Sequence, residues 1–382
     1  MATIVFILYP EAGHLFPTFK LARSLKRRGH RVHYFGPVDF EADIRAQGFD
    51  FIPILEQICP RGFIRERAQV KRIDNFDAIL LEMGGDGRKS GLGPVEEVIA
   101  KVNEIAPDLL IVDVLLPDLA LILCRQRAPV VFLNIILFTP WEEGPDSYKP
   151  LLNLPELVLC PAAFEFPQVV KSGRRHYLGA SIDLEREETP FQWDRIDGDK
   201  PIFYVSLGSQ SHLSPYSRRF FQGVIDVMNN RNDLQAIISI GSQLSVEDFH
   251  HVNQNITLVN DAPQIKILQK ASVMITHGGL GSVKECIFFG VPMIVFPLTR
   301  EQPINAARVV YHGLGVRGDV QNASARQMAS LIKRVEGNAA IKARIEIMSK
   351  KFREAEDSCD GGRDNRCDLV ANGLKNDEFR PF

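Results

Sequence analysis

The sequence carries no strong charge of either sign. Its 45 Lys and Arg stand against 47 Asp and Glu, a formal net charge of −2 over 382 residues. That balance points away from nucleic acid as a partner and away from strong attraction to anionic membranes. Cysteine is sparse: Cys59, Cys124, Cys160, Cys286, Cys359 and Cys367 are scattered, with no Cys-x-x-Cys spacing and no matched histidines. This argues against a zinc site or a disulfide framework and for reduced thiols in a cytoplasmic protein. Long hydrophobic runs are missing as well. The run at residues 3–8 is short with an acid soon after, and 109–124 is interrupted by Asp113, Pro117 and Asp118, so neither a signal peptide nor a transmembrane helix is expected. No internal repeat or low-complexity tract stands out. No Gly-x-Gly-x-x-Gly follows the first apolar run, which counts against a nicotinamide-binding oxidoreductase.

What is present is alternation. Short apolar runs that read as strands lie near 3–8, 31–35, 109–113 and 130–134, and again near 201–207, 235–240, 256–259, 273–276 and 293–296. Helical or loop stretches separate them, and this order implies parallel sheets covered by helices on both faces. The length exceeds a typical single domain and the composition is 45% hydrophobic, so two α/β domains are expected, each with enough core to fold unaided. The polar run Asp183 to Lys200, with Thr189-Pro190 and Asp197-Gly198-Asp199, reads as the linker. The expected domains are 1–185 and 186–360, followed by a segment 361–382 that can pack as a helix back on the first. Met83 to Gly93 reads as a surface loop. The basic stretch Arg61 to Arg72 reads as a solvated helical face, with weak peripheral membrane contact as the alternative. Asp197-x-Asp199 has the spacing of a metal motif but lies in the linker without further oxygen ligands, so no metal site is expected.

Residues 276–305 are the most informative stretch. Val273 to Thr276 reads as a buried strand, His277-Gly278-Gly279-Leu280-Gly281-Ser282 as a tight turn, and Val283 to Phe289 as the helix it opens. A helix opened by glycines presents unpaired N–H groups and the positive end of its dipole, and glycine lets the backbone approach an anion closely. Gly290-Val291-Pro292 and Pro297-Leu298-Thr299-Arg300-Glu301-Gln302 follow.

The order His277, Gly279, Ser282, Glu285, Gly290, Pro292, Pro297, Glu301, Gln302 resembles the donor motif of family-1 glycosyltransferases of the GT-B fold. The resemblance implies that His277 and the turn Gly279, Gly281 and Ser282 hold a diphosphate, that Glu285 binds the ribose, and that Glu301 and Gln302 bind sugar hydroxyls. It also implies two doubly wound, Rossmann-like domains facing a cleft, with metal-independent transfer and no cofactor beyond the nucleotide-sugar donor.

The N-terminus is similar to the same family. Gly13-His14-x-x-Pro17 precedes Leu21-Ala22 and Arg28-Gly29-His30, and in the family the loop histidine is the catalytic base. Imidazole is suited to take the proton of an attacking hydroxyl near neutral pH. A carboxylate should orient it. Asp113, at the carboxyl end of an apolar strand, is the candidate and is favoured over Asp118, which reads as a helix N-terminal acid. Pro201 to Ser209 resembles the strand and turn that open the family's second domain, with Ser209 a further diphosphate contact.

The resemblance departs at the nucleobase. Many relatives carry Trp-x-Pro-Gln, whose indole stacks on uracil, where this chain has Asp261-Ala262-Pro263-Gln264. The donor is expected to be a UDP-sugar or a dTDP-sugar. Glu301 stands where aspartate is usual. Residues 299–308 are similar to bacterial enzymes acting on carotenoids and other lipophilic natural products, including antibiotics. A hydrophobic small-molecule acceptor is therefore expected, with Leu115, Leu116, Ile135, Ile136, Phe138 and Trp141 either lining its pocket or forming core. The expected activity is inverting hexosyl transfer by a monomer or homodimer. The alternatives are a nucleotide-sugar epimerase of the same fold, against which the Gly-His-x-x-Pro signature argues, and a non-catalytic donor-binding subunit.

Overall fold

A computed structural model describes residues 1–57, 59–63, 94–139, 141–169, 173–208, 211, 214–298 and 301–360. The chain forms two compact units. The first comprises Met1–Ala162, Pro167–Ser181 and Ala355–Phe382, and the second Ala163–Phe166 and Ile182–Glu354. The Met83–Gly93 loop, the terminal segment 361–382, Ser209 and all but the first residues of the basic stretch lie outside the described residues.

The first unit is built on seven parallel strands: β1 (Thr3–Ile7), β2 (Arg31–Gly36), β3 (Asp50–Pro53), β4 (Leu109–Asp113), β5 (Val130–Asn134), β6 (Glu156–Val158) and β7 (Arg175–Tyr177), in the order β3-β2-β1-β4-β5-β6-β7. The central strands β1, β4 and β5 are continuous apolar runs, buried along their length. Strands covered on both faces need that composition. The helices α1 (Ala12–Leu15), α2 (Phe19–Arg27), α3 (Glu41–Ala46), α4 (Pro94–Ile105) and α5 (Pro117–Leu123) lie in the connections. In α2, Phe19, Leu21, Ala22 and Leu25 are buried while Lys26 and Arg27 are exposed, the amphipathic pattern of a helix lying on a sheet.

The second unit repeats the plan with six parallel strands: β8 (Ile202–Ser206), β9 (Gln235–Ser239), β10 (Ile256–Val259), β11 (Ala271–Thr276), β12 (Met293–Val295) and β13 (Gly315–Arg317), in the order β10-β9-β8-β11-β12-β13. Its helices are α6 (Ser217–Met228), α7 (Gln264–Leu268), α8 (Leu280–Phe289), α9 (Gln302–Tyr311) and α10 (Ala325–Val335). The 22-residue α11 (Ala339–Asp360) follows. In α6, Phe220, Phe221, Val224, Ile225 and Met228 form its buried face.

Strands β3, β6, β7 and β13 are absent from the sequence reading, for two physical reasons. All four are short, and β6 and β7 carry opposite charges, Glu156 and Arg175, inside the sheet layer. Glu156 of β6 is fully buried because Arg174 and Arg175 reach its carboxylate at 2.8 and 3.3 Å, and the Asn134 amide donates to it at 2.6 Å. A run such as Glu-Leu-Val or Arg-His-Tyr reads as surface until its ion partners are in view. Among the described residues no helix is long and apolar enough to cross a membrane. Cys124 and Cys286 are free thiols, and Cys59 and Cys160 are buried.

Candidate active site

In each sheet the strand order reverses beside the first strand, and a doubly wound sheet opens its ligand crevice at that switch point, beyond the carboxyl ends of the two strands. In the first unit these strands are β1 and β4, paired from Ile4↔Leu109 to Ile7↔Val112. Both predicted catalytic residues follow them. Asp113 ends β4 and is fully buried. Its Oδ2 lies 2.7 Å from His14 Nδ1 and accepts the Tyr9 N–H at 3.3 Å, while its Oδ1 accepts the Leu115 N–H at 2.9 Å. His14 is 5% exposed and stands in the one-turn helix α1, not in an open loop. The Thr18 hydroxyl fastens that turn: it donates to the Leu15 carbonyl at 2.7 Å and takes the Tyr34 hydroxyl proton at 2.9 Å. Asp118 lies in the first turn of α5, the place its sequence context indicated.

The apolar side chains after β4 and β5 divide. Leu116, Ile135, Ile136 and Trp141 are buried in the core of the unit, and Phe138 is exposed. Trp141 is also polar in use, since its indole N–H donates to the Val114 carbonyl at 2.7 Å, one residue beyond Asp113.

In the second unit the switch strands are β8 and β11, paired through Ser206↔Thr276. Gly208 lies two residues past β8 and His277 directly follows β11. The His277 ring is held between two glycines. A β-carbon at Gly208 would lie 2.6 Å from its Cε1, and one at Gly279 would lie 2.5 Å from its Nε2. Its Nδ1 is buried and has no hydrogen-bond partner among the described residues. Burial lowers the imidazole pKa to about 4, so the ring is neutral at pH 7.

The turn is shorter than its sequence indicates. Gly278, at φ +85°, reverses the chain at once, and α8 already starts at Leu280 with Gly279 as its N-cap. Gly281 and Ser282 thus lie in the first turn of the helix. Their backbone N–H groups are among those a helix N-terminus leaves for a ligand.

Of the other residues expected to hold the donor, Glu285 lies in α8 and Glu301 and Gln302 at the start of α9. Glu285 is 6% exposed and already engaged: its Oε1 pairs with Arg186 at 2.6 Å and its Oε2 accepts from the Gln264 amide, which also reaches Ser282 Oγ at 3.2 Å. Arg186 comes from the predicted linker, which does more than tether. Glu188 in the same run accepts the Ile265 and Lys266 N–H groups at the start of α7, at 2.7 and 3.2 Å. Glu301 is the N-cap residue of α9, and Gln302 Oε1 accepts the Leu298 N–H at 2.8 Å. Asp197 Oδ1 accepts the Asp199 N–H at 3.0 Å, a local turn, and among the described residues no group of three or more His, Cys, Asp or Glu could hold a metal ion.

The sequence reading missed Gly208, Arg186 and Asn305. Gly208 carried a signal in the strand-to-turn run ending Leu207-Gly208, but Arg186 had none beyond its position in a polar run.

Residues 225–356 match the family described as erythromycin biosynthesis protein CIII-like, C-terminal domain. The chain is 24% identical to the NDP-glycosyltransferase YjiC of Bacillus subtilis (strain 168), over 92% of this chain and 93% of that protein. Among solved structures, the glycotransferase of kitacinnamycin superposes with a TM-score of 0.74 at 21% identity, covering 98% of each chain. The spinosyn rhamnosyltransferase SpnG complexed with thymidine diphosphate gives 0.73 at 17% identity, covering 98% of this chain and all of that one. The two parallel-sheet units are those of the GT-B fold.

Proposed function

We propose that this GT-B chain is a glycosyltransferase that transfers a sugar from UDP-sugar or dTDP-sugar to a hydroxyl of a lipophilic small molecule, with inversion and without a metal. The observation that carries the reading is the buried 2.7 Å contact between His14 and Asp113 at the β1–β4 switch point. With the Nδ1 proton donated to Asp113, Nε2 carries the lone pair, so the ring is in the tautomer that accepts a proton from an acceptor hydroxyl. The hydroxyl oxygen then forms the new bond to the anomeric carbon as the diphosphate oxygen departs on the opposite face. The charge gathering on that oxygen is met in the second unit by the N-terminus of α8 and by His277, acting as a neutral ring. The thymidine diphosphate of the SpnG structure and the loss of the stacking indole at Asp261 support dTDP beside UDP. The kitacinnamycin enzyme supports a natural-product acceptor.

Calorimetric titration with UDP and dTDP, on wild type and His277→Ala, is the first test. Micromolar binding of one nucleotide, lost in the variant, is the expected result, and binding of neither removes the donor assignment. His14→Ala is expected to lower transfer by roughly 10²- to 10⁴-fold while leaving nucleotide affinity unchanged. Collapse of the affinity instead overturns the base assignment. EDTA should leave the transfer rate unaltered.

A further inference from the structure

The second unit includes four residues that the sequence places with the first, Ala163–Phe166. Glu165 from this segment is 3% exposed and meets Arg308 of α9, also 3% exposed, with 2.8 Å to both Nε and one terminal nitrogen. Phe166 lies under the same guanidinium at 5.1 Å, and the Phe164 carbonyl lies 3.0 Å from His312 Nε2. A buried ion pair is poor evidence of stability by itself, because taking both charges out of water offsets much of their attraction. What it can do is fix direction. Arg308 also donates to the side-chain oxygen of Asn305 at 3.2 Å, and Asn305 Nδ2 donates to the Gly278 carbonyl at 3.1 Å.

Asn305 is fully buried, so its amide must be satisfied on both sides. A guanidinium has donors only, so the Asn305 oxygen has to face Arg308, and the NH₂ is thereby turned to Gly278. Across the planar trans peptide, holding the Gly278 carbonyl toward Asn305 turns the Gly279 N–H the opposite way. Gly279 is the N-cap of α8 and lies against His277. We propose that Glu165, Arg308 and Asn305 form a positioning relay that orients the Gly278–Gly279 peptide for the diphosphate. This rests on the donor-site reading above and assigns residues to that site that do not touch the ligand.

The test is calorimetry with UDP and dTDP on the full chain, with uridine and thymidine measured by competition, together with thermal unfolding. Asn305→Asp keeps the shape and the pairing to Arg308 but offers Gly278 an acceptor in place of a donor. It is expected to weaken the nucleoside diphosphate about tenfold and leave the nucleoside within about twofold. The Gly279 amide resonance should shift in the same variant. Equal affinity for the diphosphate, or parallel loss for nucleoside and diphosphate with a lowered Tm, overturns the relay. Should Asn305→Asp not fold, Asn305→Ser carries the same test, since the shorter side chain withdraws the donor from the Gly278 carbonyl and leaves the Glu165–Arg308 pair intact. If the wild-type chain binds neither nucleotide, the donor-site reading falls and the relay with it. If the wild type binds and the variants match it, only the relay falls.

Discussion

At the scale of single residues, the two histidines at the switch points are set up in contrary ways. His14 has a carboxylate at 2.7 Å, whereas the Nδ1 of His277 is buried with no partner among the described residues. Asp113→Asn retains the shape but can no longer hold the tautomer. A fall in kcat of roughly 10²- to 10⁴-fold with donor affinity unchanged is expected from initial rates and calorimetry. His277 leads to a pH dependence. Its pKa falls from 6.5 to about 4 on folding because burial disfavours the charged ring. Between those values the unfolded chain takes up a proton that the folded chain does not, so this residue's share of stability is present above pH 6.5 and is lost as pH falls toward 4. Urea denaturation at pH 7 and pH 4.5 should show a smaller drop for His277→Gln than for wild type.

At the scale of elements, the turn before α8 depends on Gly278. Its φ is +85°, and a β-carbon there would lie 2.6 Å from Val295 Cγ1. Gly278→Ala is therefore expected to cost about 1–3 kcal/mol in urea denaturation from backbone strain and overpacking together. The segment Ala163–Phe166 has the opposite dependence, on charge and not on space. Glu165→Ala leaves the Arg308 guanidinium buried without its carboxylate, for an expected loss of about 3–5 kcal/mol.

At the scale of the whole molecule, α11 returns the chain to its first unit. Glu356 near the end of α11 accepts the Ser181 N–H at 2.8 Å and pairs with Lys20 on α2. These partners lie 175 and 336 residues away in sequence. Glu356→Ala removes the acceptor of a part-buried amide, and about 1–3 kcal/mol of stability should go with it. Hydrogen exchange at the Ser181 amide should speed up in that variant.

Much of this was already decided along the chain. Strands covered on both faces are mostly apolar, so β1, β4, β5, β8, β9 and β11 were legible as runs, and the alternation of runs and helices gave the α/β class. The spacing from His277 to Gln302 and from Gly13 to Pro17 marked both switch-point segments before any strand order was known. Tertiary structure alone decided which charges lie inside. Glu156, Glu165 and Arg308 look like surface residues in one dimension, and only the ion partners supplied from distant segments offset their desolvation. The family resemblance named Asp113 as the partner of His14, but the contact itself, across 99 residues, exists because two strands remote in sequence become neighbours where the sheet reverses its order. The turn at Gly278 was visible as glycine, but what holds its carbonyl was not, since hydrogen-bond direction is a property of partners and not of spacing.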